Sequence, residues 1–253
     1  MLENPKKVKN DLVKWIKDYF KDTSDIPANA VIGISGGKDS YIAAALCKEA
    51  LGADRVIGLL MPNGDQADIA DSLETVNDLG IKYHIINIKD TYGAMVAEME
   101  STGVNIHPQT LVNIAPRVRM ATLYAYAASV NGRVVNTCNL SEDFVGYSTK
   151  YGDGTGDFSV FKSLLVSEVI QIGDELGLID KLVHKTPSDG LCGKTDEDNF
   201  GFTYADIEAM ITTGTSGNEE TDKLIKARRN ANLHKELPMP KFHLDAIDTY
   251  HLD

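Results

Sequence analysis

The stretch VIGISGGKDSYIAAALC, residues 31–47, joins a short apolar run to an alanine-rich segment through Ser35-Gly36-Gly37-Lys38-Asp39-Ser40. Residues 31–34 read as a buried strand and 40–51 as a helix closed by Gly52. A strand that turns into a helix through glycines gathers open backbone N–H groups and the positive end of the helix dipole, a combination that binds anions. Gly36 and Gly37 let the backbone come close and adopt positive φ. Ser35 and Ser40 add hydroxyls. The loop is not a Walker A loop: Ile32 stands where that motif needs its first glycine, and Asp39 follows the lysine in place of Ser or Thr. Lys38 makes the loop look like that of an ordinary kinase, and Asp39 sets it apart. A carboxylate among phosphate-binding groups repels phosphate unless a cation bridges them, which makes Asp39 a candidate Mg²⁺ ligand.

Outward from this loop the same alternation repeats. Residues 4–20 form an amphipathic helix, with Asn4 and Pro5 at its start. Strands are expected at 55–61, 81–88 and 133–137, and helices at 67–79, 90–99 and 113–130. Alternating strands and helices with short turns predict an α/β fold: a doubly wound parallel sheet with flanking helices. After residue 138 the chain becomes polar and rich in Gly and Asp, and 139–159 reads as a long functional loop whose YGDGTG segment, flanked by Lys150 and Asp157, reads as a mobile lid. Helices follow at 168–176, 203–211 and 218–233. No linker divides the chain, so 1–253 reads as a single domain.

Composition narrows the function. The formal net charge of −12 disfavours nucleic acid as a partner, since its binding needs clustered Lys and Arg. Cys47, Cys138 and Cys192 are too few and too scattered for a disulfide framework or a zinc site. The charged N-terminus lacks a signal peptide's apolar core, and no window approaches a membrane span, so the expected location is cytoplasmic, without a membrane. The acidic run TDED, residues 195–198, reads as a solvated, N-capping turn rather than a metal cluster.

Ser-Gly-Gly-x-Asp-Ser after a first strand resembles the pyrophosphate loop of the N-type ATP pyrophosphatases, which cleave ATP between the α- and β-phosphates. Four later stretches resemble NAD synthetases within that superfamily: NIAPRVRMATLYAYA (113–127), TCNLSEDFVGYSTKYGDGTGD (137–157), HKTPSDGL (184–191) and LHKELPMP (233–240). They are in order and, with the loop, span 31–240. Thr149-Lys150-Tyr151-Gly152-Asp153-Gly154 is the sharpest.

The resemblance implies an adenine nucleotide alpha hydrolase-like fold and assigns roles. The loop Gly33, Ile34, Ser35, Gly36, Gly37, Lys38, Asp39 and Ser40 would hold ATP with Thr137 and Ser188. Asp39 and Glu142 would hold Mg²⁺ and act in catalysis. Arg117, Lys150, Asp157, His234 and Lys235 would contact deamido-NAD. Arg117 and Arg119, two apart on one helix, point in different directions, which leaves Arg119 for a structural ion pair. One departure stands out: Val166 occupies a position where the family often carries an ATP-facing lysine. Lys162, one turn earlier, is the expected replacement, since i and i+4 share a helix face.

The implied activity is ATP-dependent amidation of deamido-NAD by ammonia through an acyl adenylate, in a homodimer. The synthetase match uses the whole chain, which leaves no room for a glutaminase domain, so ammonia is the expected nitrogen donor. A tRNA-thiolating enzyme is the rival with the same loop, but it would need a basic RNA surface and a cysteine pair. A non-catalytic adenine-nucleotide sensor would have little use for Glu142, Lys150 and Asp157 together.

Overall fold

The computed structural model describes residues 1–21, 26–66, 69–185 and 195–242. In chain order the first half runs α1 (Pro5–Lys21), β1 (Asn29–Gly33), α2 (Lys38–Leu51), β2 (Val56–Leu60), α3 (Ile69–Leu79), β3 (Lys82–Ile85), α4 (Lys89–Ser101), α5 (Pro108–Ser129) and β4 (Gly132–Asn139). It continues with α6 (Leu140–Val145), β5 (Phe158–Phe161), α7 (Val166–Glu175), α8 (Asp180–Val183), α9 (Asp196–Phe200), α10 (Tyr204–Thr213) and α11 (Glu219–Asn232).

The strands form one sheet in the order β3-β2-β1-β4-β5, and every pairing is parallel. Successive side chains on a strand point to opposite faces. Ile32 on β1 therefore packs with Ile16, Phe20, Ile42 and Ile172 of α1, α2 and α7. Its neighbour Val31 packs on the other face with Ile114 and Val118 of α5. With both faces covered, β2 is buried at all five positions, as its sequence VIGLL requires. Three consecutive alanines, Ala43 to Ala45, let α2 sit close between the sheet and its neighbouring helices.

The alternation read from the sequence holds for β1, β2, β4 and the helices between them. Three differences concern the edges. β3 covers only four residues, all exposed, because it is an edge strand; beyond it Ile86 and Ile88 still donate to the carbonyls of Leu60 and Pro62. α5 starts at Pro108, well before residue 113, because His107 caps it by accepting from the Gln109 amide and proline suits the first helical position. The stretch expected as one long loop contains α6 and runs into the start of β5. β5 has four residues and a register irregularity against β4 between Asn136 and Asn139, too little to show a period in sequence.

The central pairing is β1 with β4, where Asn29, Ala30 and Val31 lie beside Gly132, Arg133 and Val134. A Cβ on Gly132 would come within 2.6 Å of Val31 Cγ2 and 3.1 Å of Ala127 Cα. Gly132→Ala should therefore lower stability by about 1–3 kcal/mol, the usual cost of overpacking. Thermal and urea unfolding of the variant check this.

Candidate active site

β1 has β2 on one side and β4 on the other, so the helices that follow β1 and β4 diverge between these two strands. Ligands of open parallel sheets collect at the carboxyl ends of the strands at such a switch point. A cleft of about 320 Å³ lies there. Of the residues expected at ATP, Gly33, Ile34, Ser35, Gly37, Lys38, Asp39, Ser40 and Thr137 line it, together with Glu142. Gly36 sits at its rim, where its carbonyl accepts from Lys185 Nζ at 3.4 Å.

The loop holds its own shape. Gly36 has φ of +82°, whereas Gly37 is the extended N-cap of α2 with φ of −93°, so only the first of the pair uses glycine's conformational freedom. Ser35 Oγ accepts from the Gly37 amide at 3.2 Å, and Ser40 Oγ donates to the Gly37 carbonyl at 3.0 Å. Among the described residues the start of α2 has no side-chain cap, which suits an anion.

Charge is concentrated beside them. Lys38 is 4% exposed, and its ammonium lies 3.0 Å from Asp39 Oδ2. Burial pulls the Lys38 pKa down, but Asp39, Glu142 and Asp196 outweigh it and leave it above its ordinary value. Glu142 is pushed well above the carboxylate range by burial and then by Asp39, and Lys38 offsets part of the shift. The fully buried Asn139 connects the two carboxylates. Its side chain donates to Asp39 Oδ1 at 3.3 Å and accepts from the Glu142 amide at 3.1 Å. Its own amide donates to Glu142 Oε2 at 3.2 Å. This is a capping box, so Glu142 stands in the first turn of α6 and not in an irregular segment.

Asp196 corrects the reading of TDED. Thr195 and Asp198 do form a capping box at α9. Asp196 between them is 4% exposed, lines the cleft and accepts from Tyr204 Oη at 2.9 Å.

Four of the five residues expected at deamido-NAD gather outside this cleft. Arg117 is exposed, and its Nε donates to the Lys150 carbonyl at 3.3 Å. Lys150 Nζ donates to the His234 carbonyl at 2.6 Å. Lys235 Nζ donates to the carbonyls of Gly146 and Ser148. Asp157 is not brought to them. It lies just before β5, and its carboxylate accepts from the Val134 amide at 2.7 Å. Arg119 lines the cleft; the expected ion pair is replaced by a bond from Nε to the Met61 carbonyl at 3.0 Å. Ser188 and Cys192 lie outside the described residues.

Lys162 does not stand in for a lysine at 166. It precedes α7 rather than sharing its face, and its ammonium pairs with Glu236 at 2.9 Å and Asp143 at 3.3 Å. Val166 is the first residue of α7 and is buried beside Val145 and Phe200. Burial, Glu236 and the partly offsetting Lys162 leave the Asp143 carboxyl at about 6.

Asn139, Lys185 and Asp196, at or beside the cleft, had no functional role in the sequence reading. Asn139 carried a legible signal, the Asn-x-x-Glu pattern of a capping box after a strand. Lys185 reaches the loop and pairs with Asp71 at 2.6 Å, and Asp196 is buried only by the fold; neither has a local pattern. Cys47 and Cys138 are buried, which pushes the first thiol up to about 12 and the second well above its ordinary value, poor settings for a nucleophile.

The NAD synthase family model matches residues 8–240. An NH(3)-dependent NAD(+) synthetase of Finegoldia magna is 37% identical over 227 residues, 88% of this chain and 92% of that protein. Among solved structures, an NMN synthetase from Francisella tularensis superposes with a TM-score of 0.86 at 33% identity, over 95% of this chain and 99% of that one. An NH3-dependent NAD synthetase from Campylobacter jejuni gives 0.79 at 29% identity, over 96% and 100%.

If Asn139 organises the site as its bonds indicate, Asn139→Ala should cost about 1–2 kcal/mol in urea unfolding through the lost cap. Asn139→Ser should recover most of that stability, because serine also caps, without restoring the amide bond to Asp39. Equal unfolding midpoints for wild type and Asn139→Ala would contradict the capping role.

Proposed function

The chain belongs to the NAD synthase family, and from that premise we propose how its cleft amidates deamido-NAD with ammonia, using ATP and releasing AMP and pyrophosphate. The observation that supports the assignment of parts is the meeting of Asp39 and Glu142, through Asn139, beside the uncapped start of α2.

The first amides of α2 and the loop 33–40 cradle the β- and γ-phosphates, while the α-phosphate stays open to attack. The nicotinate carboxylate attacks the α-phosphorus, the bond to the bridging oxygen breaks, and pyrophosphate leaves with that electron pair. Ammonia then adds to the acyl adenylate, loses a proton, and displaces AMP. No covalent enzyme intermediate is needed. The residues act by positioning and by meeting developing charge.

Asp39 and Glu142 are the residues that would hold Mg²⁺. Two hard carboxylates suit that ion, which takes one or two of them and fills its remaining positions with phosphate oxygens and water. Among the described residues no group of three or more Asp, Glu, His or Cys forms a metal cluster, in keeping with an ion that relies on its substrate. When bound, Mg²⁺ supplies charge neutralisation for the leaving pyrophosphate.

Arg117, Lys150, His234 and Lys235 form the binding surface for the far part of deamido-NAD. Their place outside the cleft fits a substrate longer than ATP's partner groove, and a homodimer would bring a second chain over it. Among the described residues no helix is long and apolar enough to cross a membrane.

The neighbour named an NMN synthetase favours a second substrate, nicotinate mononucleotide. The chemistry would be the same; only the nucleotide is shorter.

Incubation with ATP, Mg²⁺, ammonium and deamido-NAD should yield AMP, pyrophosphate and NAD in equal amounts. ADP as product would rule the mechanism out. Asp39→Asn should lower kcat/KM at least ~100-fold, the scale of losing a preorganised charge contact, with an unchanged fold by circular dichroism. Arg117→Ala should lower kcat/KM for deamido-NAD about tenfold or more. The same variant assayed with nicotinate mononucleotide should be little affected, which separates the two substrates. A mass near 27.6 kDa under turnover conditions would contradict the homodimer.

A further inference from the structure

Lys38 has a chemical problem that the reaction must solve. Its ammonium is buried, and its partner is the carboxylate of Asp39, assigned above to Mg²⁺. The two cations cannot share that carboxylate without strong repulsion in a cleft shielded from water. A buried ammonium left without an anion is also costly, so it must find another partner when Asp39 is taken. The other anions facing Lys38 are Glu142 and Asp196. Glu142 is the second residue assigned to the metal, and Asp196 is already engaged with Tyr204 Oη. Among the described residues no further carboxylate faces Lys38, and the polyphosphate brings a new anion to it, since Lys38 is the first residue of α2 and lines the same cleft. Among the described residues two other cations line the cleft, but Arg119 is bonded to the Met61 carbonyl and Lys185 pairs with Asp71 at the rim.

We propose that Lys38 is an exchange cation that couples metal binding to phosphate binding. Without substrate it pairs with Asp39 and opposes the metal. With substrate it transfers to a phosphate oxygen and frees Asp39. Metal and polyphosphate then each strengthen the binding of the other, by the same factor, as linkage requires. The cleft stays closed to free Mg²⁺ and opens to the pair. This proposal rests on Asp39 and Glu142 being the metal ligands.

Calorimetric titration of the full chain tests it without any turnover. Three titrations are needed: Mg²⁺ alone, pyrophosphate alone in EDTA, and Mg²⁺ in the presence of pyrophosphate. Lys38→Met should bind Mg²⁺ alone at least ~10-fold more tightly and metal-free pyrophosphate at least ~10-fold more weakly, as expected when one member of a buried charge pair is removed. The tightening of Mg²⁺ by pyrophosphate should shrink accordingly. Lys38→Arg, which keeps the charge, should lose less affinity for metal-free pyrophosphate than Lys38→Met. If Lys38→Met fails to fold, Lys38→Gln provides the neutral side chain. An unchanged affinity of the neutral variant for either Mg²⁺ alone or pyrophosphate alone overturns the coupling. Asp39→Asn separates this from the function above: if it binds Mg²⁺ with pyrophosphate as well as wild type, the metal assignment itself is wrong.

Discussion

The parallel pairing of β1 with β4 is the constraint on which the site depends. These strands are a hundred residues apart in the chain, and each delivers one carboxylate. Asp39 follows β1 and Glu142 follows β4, and the buried amide of Asn139 spans the gap between them. A strand pairing fixes the positions of its carboxyl ends to within a fraction of a residue, since register is set by the whole ladder. Gly132 belongs to the same constraint, because only a residue without a Cβ lets β4 lie this close to Val31 and Ala127.

What the fold brings together is electrostatically uncomfortable. Asp39, Glu142 and Asp196 all act on Lys38, and burial raises the cost of the Lys38 and Glu142 charges. A cleft built only for stability would replace them with apolar groups. Their retention makes sense for a site that receives a polyphosphate with its cation, because the ligands supply the missing partners. The uncapped start of α2 is the same bargain in backbone form: amides that a serine or aspartate cap would satisfy are left for the substrate.

The polar stretch after β4 divides into a rigid part and a contact part. Asn139 starts a short capped helix, and Val145 at its end packs against Phe200, Tyr204 and Ile225. The following turns carry Lys150 outward to Arg117 and His234, while Asp157 ties the end of the stretch to β4. A segment that reads as a loose lid is thus anchored at both ends by the strand that also places Glu142. Val166 belongs to the apolar cluster behind it; among the described residues Lys38, Arg119 and Lys185 are the cations that line the cleft.

Local sequence determined the repeating strand and helix units, the anion-binding character of residues 33–40, and the family. All three depend on neighbours within a turn or two: apolar period, glycine at a turn, a carboxylate beside a lysine. It also singled out Asp39 and Glu142, which the fold brings together through Asn139. The tertiary structure decided what those residues face. Lys38, which looked incidental beside Asp39, is buried against three carboxylates contributed by α2, α6 and α9. Asp196, which looked solvated, lines the cleft. Lys162, which looked like a replacement cation, is held by Asp143 and Glu236. The reason is common to all three: the partner and the dielectric around a charge are set by chain segments far away in sequence, and no local pattern encodes them.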